Sequence, residues 1–132
     1  MENLTEKVFN FLINFKINQY KFRDETELED ILTSSLKDFL KNDGLIIKRQ
    51  SITLKARALI PDITIGQNKV LIEIKILKDL SDVYRIFYQA VKYSKIAKES
   101  LIFFIYDPDS VLKFEEIEDL KQIQKVRIIR KY

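Results

Sequence analysis

The chain has 132 residues, of which 46% are hydrophobic and 33% are charged, a composition typical of a folded globular protein and not of a disordered or collagen-like chain. It contains no cysteine and no histidine. Their absence excludes disulfides, zinc ribbons, thiol nucleophiles, serine–histidine triads and histidine-ligated metals. Any enzymatic chemistry must therefore use carboxylates and lysine, together with a hard metal ion where a metal takes part. The length predicts a single domain over residues 1–132.

The charges are spread unevenly along the chain. The net charge is +3, but residues 22–43 carry seven acidic and three basic groups, whereas residues 44–75 carry six basic and two acidic groups. This distribution predicts a polarised surface. No apolar run approaches the ~20 residues of a membrane span, and the N-terminal residues lack the pattern of a signal peptide. We therefore expect a cytoplasmic protein that does not associate with membranes.

Two helices are predicted at the start of the chain. Apolar residues recur near helical spacing over residues 2–20, and a second helical stripe runs from about Asp24 to Asn42. Asp24 is suited to the N-cap of the second helix, and Gly44 is suited to a left-handed position at its C-terminal end.

After Gly44 the hydrophobic period changes from helical to two, which is typical of strands. Three strands are predicted, with the last two joined as a hairpin by the turn Gly66–Asn68: Leu45–Leu54, Leu59–Ile65 and Val70–Leu77.

The second half of the chain alternates helices and strands. The predicted order is a helix capped by Ser81 and ending near Lys98, a buried and parallel strand over Leu101–Tyr106, an acidic helix near 110–121 and a final strand near Lys125–Arg130. The fold class is therefore α/β, with one mixed sheet flanked by helices.

Three charged residues fall on one face of the predicted hairpin. Strand side chains alternate between the two faces, so Glu73 and Lys75 point the same way, and Asp62 occupies the corresponding face of the preceding strand. Two nearby carboxylates repel each other unless a cation lies between them. Carboxylate oxygens are ligands that Mg²⁺ or Mn²⁺ accepts, and a neighbouring lysine can orient water or stabilise developing negative charge.

The pattern Pro61-Asp62, ten intervening residues, then Glu73-Ile74-Lys75 resembles the signature of the PD-(D/E)XK nuclease superfamily. The resemblance covers about residues 24–106 and implies a restriction-endonuclease-like core of helix, three strands, helix and strand, preceded here by an extra N-terminal helix. It implies that Asp62 and Glu73 bind Mg²⁺, that Ile74 adds its carbonyl oxygen, and that Lys75 positions the attacking water.

A second motif strengthens this resemblance. Gln89-Ala90-Val91-Lys92-Tyr93 reads Q-x-x-x-Y, which is similar to the motif that follows the E-x-K strand in RecB-like and Cas4-like nucleases. Arg85, Gln89 and Tyr93 are spaced four residues apart and form one stripe that can face the metal site and a DNA backbone. The lack of cysteine excludes the iron–sulfur cluster that many Cas4-like enzymes carry.

The superfamily often adds a glutamate from the first core helix. Both Glu25 and Glu29 lie beside the apolar stripe of the second predicted helix. The stretch Leu28-Glu29-Asp30-Ile31-Leu32 resembles the pattern of Mrr-like members, which favours Glu29 and leaves Glu25 as the second choice.

Basic residues surround the predicted site in the sequence, and phosphate contacts supply most non-specific affinity for DNA. The residues expected to bind nucleic acid are Lys48, Arg49, Lys55, Arg57, Arg85, Lys92 and Tyr93.

The functional hypothesis is a Mg²⁺-dependent DNA nuclease that hydrolyses phosphodiester bonds through a metal-activated water, with Mn²⁺ as a substitute metal. Asp62, Glu73, Lys75, Gln89 and Glu29 would form its catalytic set. Two alternatives remain open. One is a catalytically inactive nuclease fold that binds nucleic acid or serves in an assembly, and the other is a homodimeric Holliday-junction resolvase.

Overall fold

The computed structural model describes residues 3–132, which form four α-helices, one short 3₁₀ helix and seven strands. The helices are α1 Leu4–Ile13, α2 Glu25–Leu40, α3 Leu80–Ser94 and α4 Phe114–Lys121, with the 3₁₀ turn at Ile17–Gln19. The strands are β1 Ile46–Lys48, β2 Ile52–Leu54, β3 Arg57–Leu59, β4 Ile63–Ile65, β5 Val70–Ile76, β6 Ser100–Tyr106 and β7 Val126–Lys131.

Five of the strands form one mixed sheet in the order β1-β4-β5-β6-β7. The pairs β1–β4 and β4–β5 are antiparallel, whereas β5–β6 and β6–β7 are parallel. Helices α1 and α2 pack on one face of the sheet, and α3 and α4 pack on the other. The prediction of an α/β fold with a mixed sheet flanked by helices is thus confirmed, as is the parallel pairing of β6.

The β4–β5 hairpin also forms as expected. Its turn needs left-handed backbone, which Gly66 adopts with a φ of +64°. A Cβ at this position would lie 2.7 Å from the Leu4 side chain, so both the backbone angle and the close approach of α1 favour glycine.

The prediction of one strand over Leu45–Leu54 is wrong. Arg49 has a φ of +55° and breaks the extended chain, so β1 joins the main sheet and β2 does not. Instead β2 pairs with β3 in a separate two-stranded hairpin, which turns at Lys55 with a φ of +57°. Leu59 belongs to this hairpin, so the second predicted strand is also shortened, to β4.

Helix boundaries differ from the predictions where polar side chains or packing intervene. The first helix stops at Ile13, and the buried residues Phe15 and Ile17 lie beyond it. Asp24 caps α2 as predicted, but the residue with a positive φ at its end is Lys41 and not Gly44. A Cβ at Gly44 would lie 3.1 Å from an Ile65 methyl group, so its smallness serves packing.

The cap of the next helix lies two residues before the predicted cap, Ser81. The Asp79 carboxylate, not Ser81, accepts the backbone N–H groups of Ser81 and Asp82, and the Asp82 side chain accepts the Asp79 N–H in return. This reciprocal cap starts α3 at Leu80. The helix ends at Ser94, four residues before the predicted end at Lys98.

No helix within residues 3–132 combines the length and the apolar character that crossing a bilayer requires.

Asp107 ties the ends of the parallel strands together. Its fully buried carboxylate accepts the N–H groups of Val111 and Leu112 at 2.8 and 2.9 Å, and it pairs with Arg130 at 2.9 Å. These contacts hold the loop after β6 against β7.

We expect Asp107→Ala to lower the free energy of unfolding by about 3 to 5 kcal/mol, because it leaves the largely buried Arg130 without a counter-ion. Urea unfolding followed by circular dichroism measures the change. Asp109→Ala is the matched control, since Asp109 is exposed on the same loop. Equal effects of the two substitutions would contradict the role assigned to Asp107.

Candidate functional site

The site lies where β5 extends beyond the end of β4. The hairpin pairs Ile63 with Ile72, and the same register continued by one residue places Asp62 opposite Glu73. Beyond that point β4 no longer covers the edge of β5. A carboxylate accepts the hydrogen bond that β4 no longer accepts there, since the Ile74 N–H donates to Asp62 Oδ2 at 2.8 Å.

Hydrogen bonds in both directions connect the two carboxylates to the opposite strand. Glu73 Oε1 accepts the Asp62 backbone N–H at 3.0 Å, while Asp62 accepts from Ile74. Lys75 lies on the same face, with its Nζ 3.7 Å from Glu73 Oε2. Glu73 and Lys75 are only 1% and 3% exposed, so this face of β5 is covered and is not a solvated surface. The structure thus brings the predicted trio together.

Burial dominates the electrostatics of this cluster. Loss of solvent raises the pKa of Glu73 to about 8, and the adjacent Asp62 carboxylate adds to the rise, while the Lys75 ammonium opposes it. A cation bound between a buried carboxyl and a second carboxylate offsets the repulsion between them, so this arrangement favours cation binding.

Glu29 joins the cluster through Arg49. It comes from α2, on the opposite face of the sheet, and its side chain is almost fully buried. Arg49 Nε lies 3.2 Å from Glu29 Oε1, and Arg49 Nη1 lies 3.5 Å from Asp62 Oδ1. Burial, followed by the nearby Asp62 carboxylate, raises the pKa of Glu29. Of the two glutamates that the sequence left open, Glu29 is therefore the one beside Asp62.

Glu25 has a different partner. Its Oε2 accepts the backbone N–H of Ile76 at 2.9 Å, two residues further along the same free edge of β5. This hydrogen bond gives the Ile76 N–H an acceptor at the end of β5.

The predicted stripe of Arg85, Gln89 and Tyr93 on α3 lies only partly beside the site. Burial raises the pKa of Tyr93, and the Glu73 and Asp62 carboxylates contribute; its hydroxyl donates to the carbonyl of Ile60, two residues before Asp62, at 3.5 Å. Gln89 lies one turn earlier on the same helix face, and its buried Oε1 has no hydrogen-bond partner among the described residues. Arg85 is exposed and pairs with Asp82 at 3.6 Å, and its predicted contact with nucleic acid stays a prediction.

The donor set fits a hard divalent cation. Among residues 3–132 no group of three or more carboxylates placed to hold a metal is found, and the two carboxylates that could hold one at this site are Asp62 and Glu73. Since the N–H and C=O of one strand residue point to the same edge, the Ile74 carbonyl faces the side on which its N–H meets Asp62. Two carboxylates, one carbonyl and water are a usual set for Mg²⁺.

The residues predicted to bind nucleic acid do not all lie together. Lys48 and Arg49 are paired with acidic groups, because Lys48 contacts Asp30 and Glu29 and Arg49 contacts Glu29 and Asp62. Lys55, Arg57 and Lys92 line a groove of about 460 Å³ between the β2–β3 hairpin and α3, whereas Arg85 and Tyr93 lie outside it. The polar and aromatic residues of this basic groove are Lys55, Arg57, Lys92, Lys95 and Tyr88.

Two of these residues, Tyr88 and Lys95, are additions from the structure. The sequence contained one signal for Tyr88. It lies on a stripe of α3 nearly opposite the core residues Val83, Ile86 and Ala90, and apolar residues on the outer side of a helix indicate a second contact surface. Lys95 had no such signal, because only the position of the hairpin gives it neighbours.

Comparisons of the chain with protein-family models, with curated proteins and with solved structures find no match. The site must therefore be interpreted from its own chemistry.

The raised pKa of Glu73 predicts a pH-dependent stability in the absence of divalent cations. Between about 4.5 and about 8 the folded chain keeps the Glu73 proton and the unfolded chain releases it. Because the folded state binds more protons over this range, the free energy of unfolding should fall as the pH rises. Urea unfolding at successive pH values in EDTA measures this.

Glu73→Gln should remove most of that pH dependence, since the amide stays neutral. Glu115→Gln, at an exposed position on α4, should keep the wild-type profile. If Glu73→Gln shows the same loss of stability between these pH values, the assignment of the proton to Glu73 is incorrect.

Proposed function

We propose that this chain is a Mg²⁺-dependent nuclease that hydrolyses phosphodiester bonds, with Mn²⁺ as an alternative metal. One observation carries the proposal. A buried carboxyl, Glu73, lies beside a second carboxylate, Asp62, and within 3.7 Å of a buried lysine, Lys75. Three ionisable groups at a strand end are costly to bury, and ionisable groups with strongly shifted pKa values cluster at functional sites.

Each residue has a role that follows from its position. Asp62, Glu73 and the Ile74 carbonyl would hold the metal. When bound, a divalent cation lowers the pKa of water and stabilises negative charge on phosphate oxygens. Lys75, held by Glu73, would orient the water and offset charge that develops on the phosphate. The unpaired Oε1 of Gln89 is available to accept a hydrogen bond from water or from Lys75.

The strand order supports the finer assignment to a restriction-endonuclease-like core. From α2 onward the main elements follow the sequence helix, three antiparallel strands, helix and parallel strand, namely α2, β1, β4, β5, α3 and β6. The β2–β3 hairpin is inserted between the first and second of these strands. The extra helix α1 packs on the core through Val8 and Leu12.

Nucleic acid is the substrate class that the charge pattern favours, and we propose DNA as the substrate. The basic groove carries four cationic side chains, and none of its lining residues is acidic. Its hairpin strand β3 ends three residues before Asp62, so a bound phosphate backbone lies next to the proposed metal ligands.

A second candidate is a nucleic-acid-binding module that does not cleave. The observation favouring it is that the polar groups of the cluster have partners within the chain. Lys75 lies 3.7 Å from Glu73, and Arg49 lies against both Glu29 and Asp62. A polar network of this kind can be retained for structure alone.

Cleavage assays test the first proposal. Plasmid, linear, single-stranded and branched DNA are incubated with the chain and Mg²⁺ or Mn²⁺. Asp62→Asn keeps an acceptor for the Ile74 N–H, and Lys75→Met keeps the volume of the lysine, so both should fold. We expect each to reduce the cleavage rate by about 10²- to 10⁴-fold.

Lys78→Met is the matched control for Lys75→Met, because Lys78 is exposed and lies three residues further along the chain. It should cleave at the wild-type rate. Cleavage that survives in both Asp62→Asn and Lys75→Met would overturn the assignment of the site.

Metal binding separates the two candidates. A nuclease of this kind should give a calorimetric signal with Mn²⁺, and Mn²⁺ at a hundred times its dissociation constant should raise the free energy of unfolding by about 2.7 kcal/mol. Asp62→Asn should lose both effects, while Asp109→Asn should keep them. Nucleic-acid binding without any response to Mn²⁺ would instead support the non-cleaving module.

A further inference from the structure

Helix α3 carries a second apolar stripe on its outer side. Its inner side buries Val83, Ile86 and Ala90 in the core. The outer stripe recurs at intervals of three and four residues, and its members are 49% to 65% exposed: Leu80, Tyr84, Tyr88 and Val91. A stripe of four large exposed side chains marks a contact surface, whereas single exposed apolar residues do not.

This outer stripe meets the basic groove at Tyr88. Lys55 and Arg57 approach from the hairpin, and Lys92 and Lys95 approach from the helix. Lys92 Nζ lies 5.6 Å from the centre of the Tyr88 ring, which holds the ring beside the cations. Within the part of the chain that the structure describes, Lys55, Arg57 and Lys95 form no ion pair. The groove therefore offers cations and an aromatic surface at the same place.

We propose that the basic groove and the outer stripe of α3 bind a single, unpaired nucleic-acid strand, with phosphates on the four cations and bases stacked on Tyr88 and Tyr84. The inference rests on the proposed function, of which it specifies the substrate class. Non-specific single-strand binding combines a positively charged groove with aromatic side chains on which bases stack, and both parts are present here.

The aromatic component favours a single strand over a duplex. In a duplex each base face is covered by its neighbour in the stack, so an exposed tyrosine finds nothing to stack on. An unpaired base offers its face to the ring. The size of the groove agrees, because about 460 Å³ between a hairpin and a helix is in the range of small-molecule clefts and suits a few nucleotides of one strand.

The groove is also connected to the proposed metal ligands. The chain leaves it at Leu59 and reaches Asp62 three residues later, a span of at most about 10 Å. On the other wall, the Tyr93 hydroxyl donates to the Ile60 carbonyl at 3.5 Å, which links α3 to the same segment. A strand that crosses the groove therefore continues towards Asp62 and Glu73.

Binding of a fluorescent 20-nucleotide oligothymidine and of a blunt 20-base-pair duplex, measured by anisotropy in EDTA, tests the inference without any cleavage. The single strand should bind at least tenfold more tightly than the duplex. Tyr88→Ala should weaken single-strand binding by about tenfold, within the range found for loss of one base stack, whereas Tyr88→Phe should keep most of the affinity. Lys95→Ala should lower the slope of log affinity against log salt by about 0.7.

Matched controls lie outside the groove. Tyr132 is 63% exposed, close to the 65% of Tyr88, and Tyr132→Ala should bind like the wild type, as should Lys37→Ala on α2. Thermal unfolding verifies that Tyr88→Ala is folded, which its exposure favours.

Three outcomes would overturn the inference. These are duplex binding as tight as single-strand binding, an unchanged affinity in Tyr88→Ala, or self-association of the wild type that Tyr88→Ala abolishes while strand binding is absent. The last would identify the stripe as an interface between copies of the chain. Because binding is measured without metal, the two proposals can fail separately. A chain that binds the single strand but never cleaves DNA contradicts only the proposed function. A chain that cleaves duplex DNA and shows no preference for single strands contradicts only this inference.

Discussion

The unequal length of two neighbouring strands is the constraint on which the rest of the site depends. β4 ends its pairing opposite Ile72, and β5 continues to Ile76. Unpaired strand N–H groups inside a protein need acceptors. Carboxylates supply them here, Asp62 for Ile74 and Glu25 for Ile76. A backbone requirement thus holds Asp62 in a fixed orientation beside Glu73.

Charge balance in the cluster follows from that placement. Glu73 is held neutral by burial and by Asp62, since its pKa rises to about 8, and Lys75 lies against it. The guanidinium of Arg49 contacts the two other carboxylates of the cluster, Glu29 and Asp62. Its left-handed backbone and the hydrogen bond from its N–H to the Asp62 carbonyl, 3.1 Å long, fix both the guanidinium and the break between β1 and β2. The residue that interrupts the predicted strand is therefore also the one that joins the two faces of the sheet.

Helix α3 separates two environments. Its inner side covers the face of β5 that carries Glu73 and Lys75, and Tyr93 approaches them from the helix. Its outer side presents tyrosines and lysines to the groove beside the β2–β3 hairpin. A strand bound on the outside and a metal held on the inside would meet at the segment between Leu59 and Asp62. The proposed metal ligands therefore lie on the inner side of α3, and the proposed strand-binding residues lie on its outer side.

The sequence by itself determined the features that depend on local periodicity. Alternation in β5 was sufficient to place Glu73 and Lys75 on one face, and the short turn at Gly66 was sufficient to pair that strand with the one following Asp62. The choice between Glu25 and Glu29 could not be made from helix angles, because it depends on which strand edge each side chain meets. The continuous apolar pattern over Leu45–Leu54 likewise gave no sign of the turn at Arg49, whose backbone conformation is stabilised by contacts distant in sequence. Only the tertiary structure brought Lys55 and Arg57 to Tyr88, because that groove exists only once the hairpin lies beside α3.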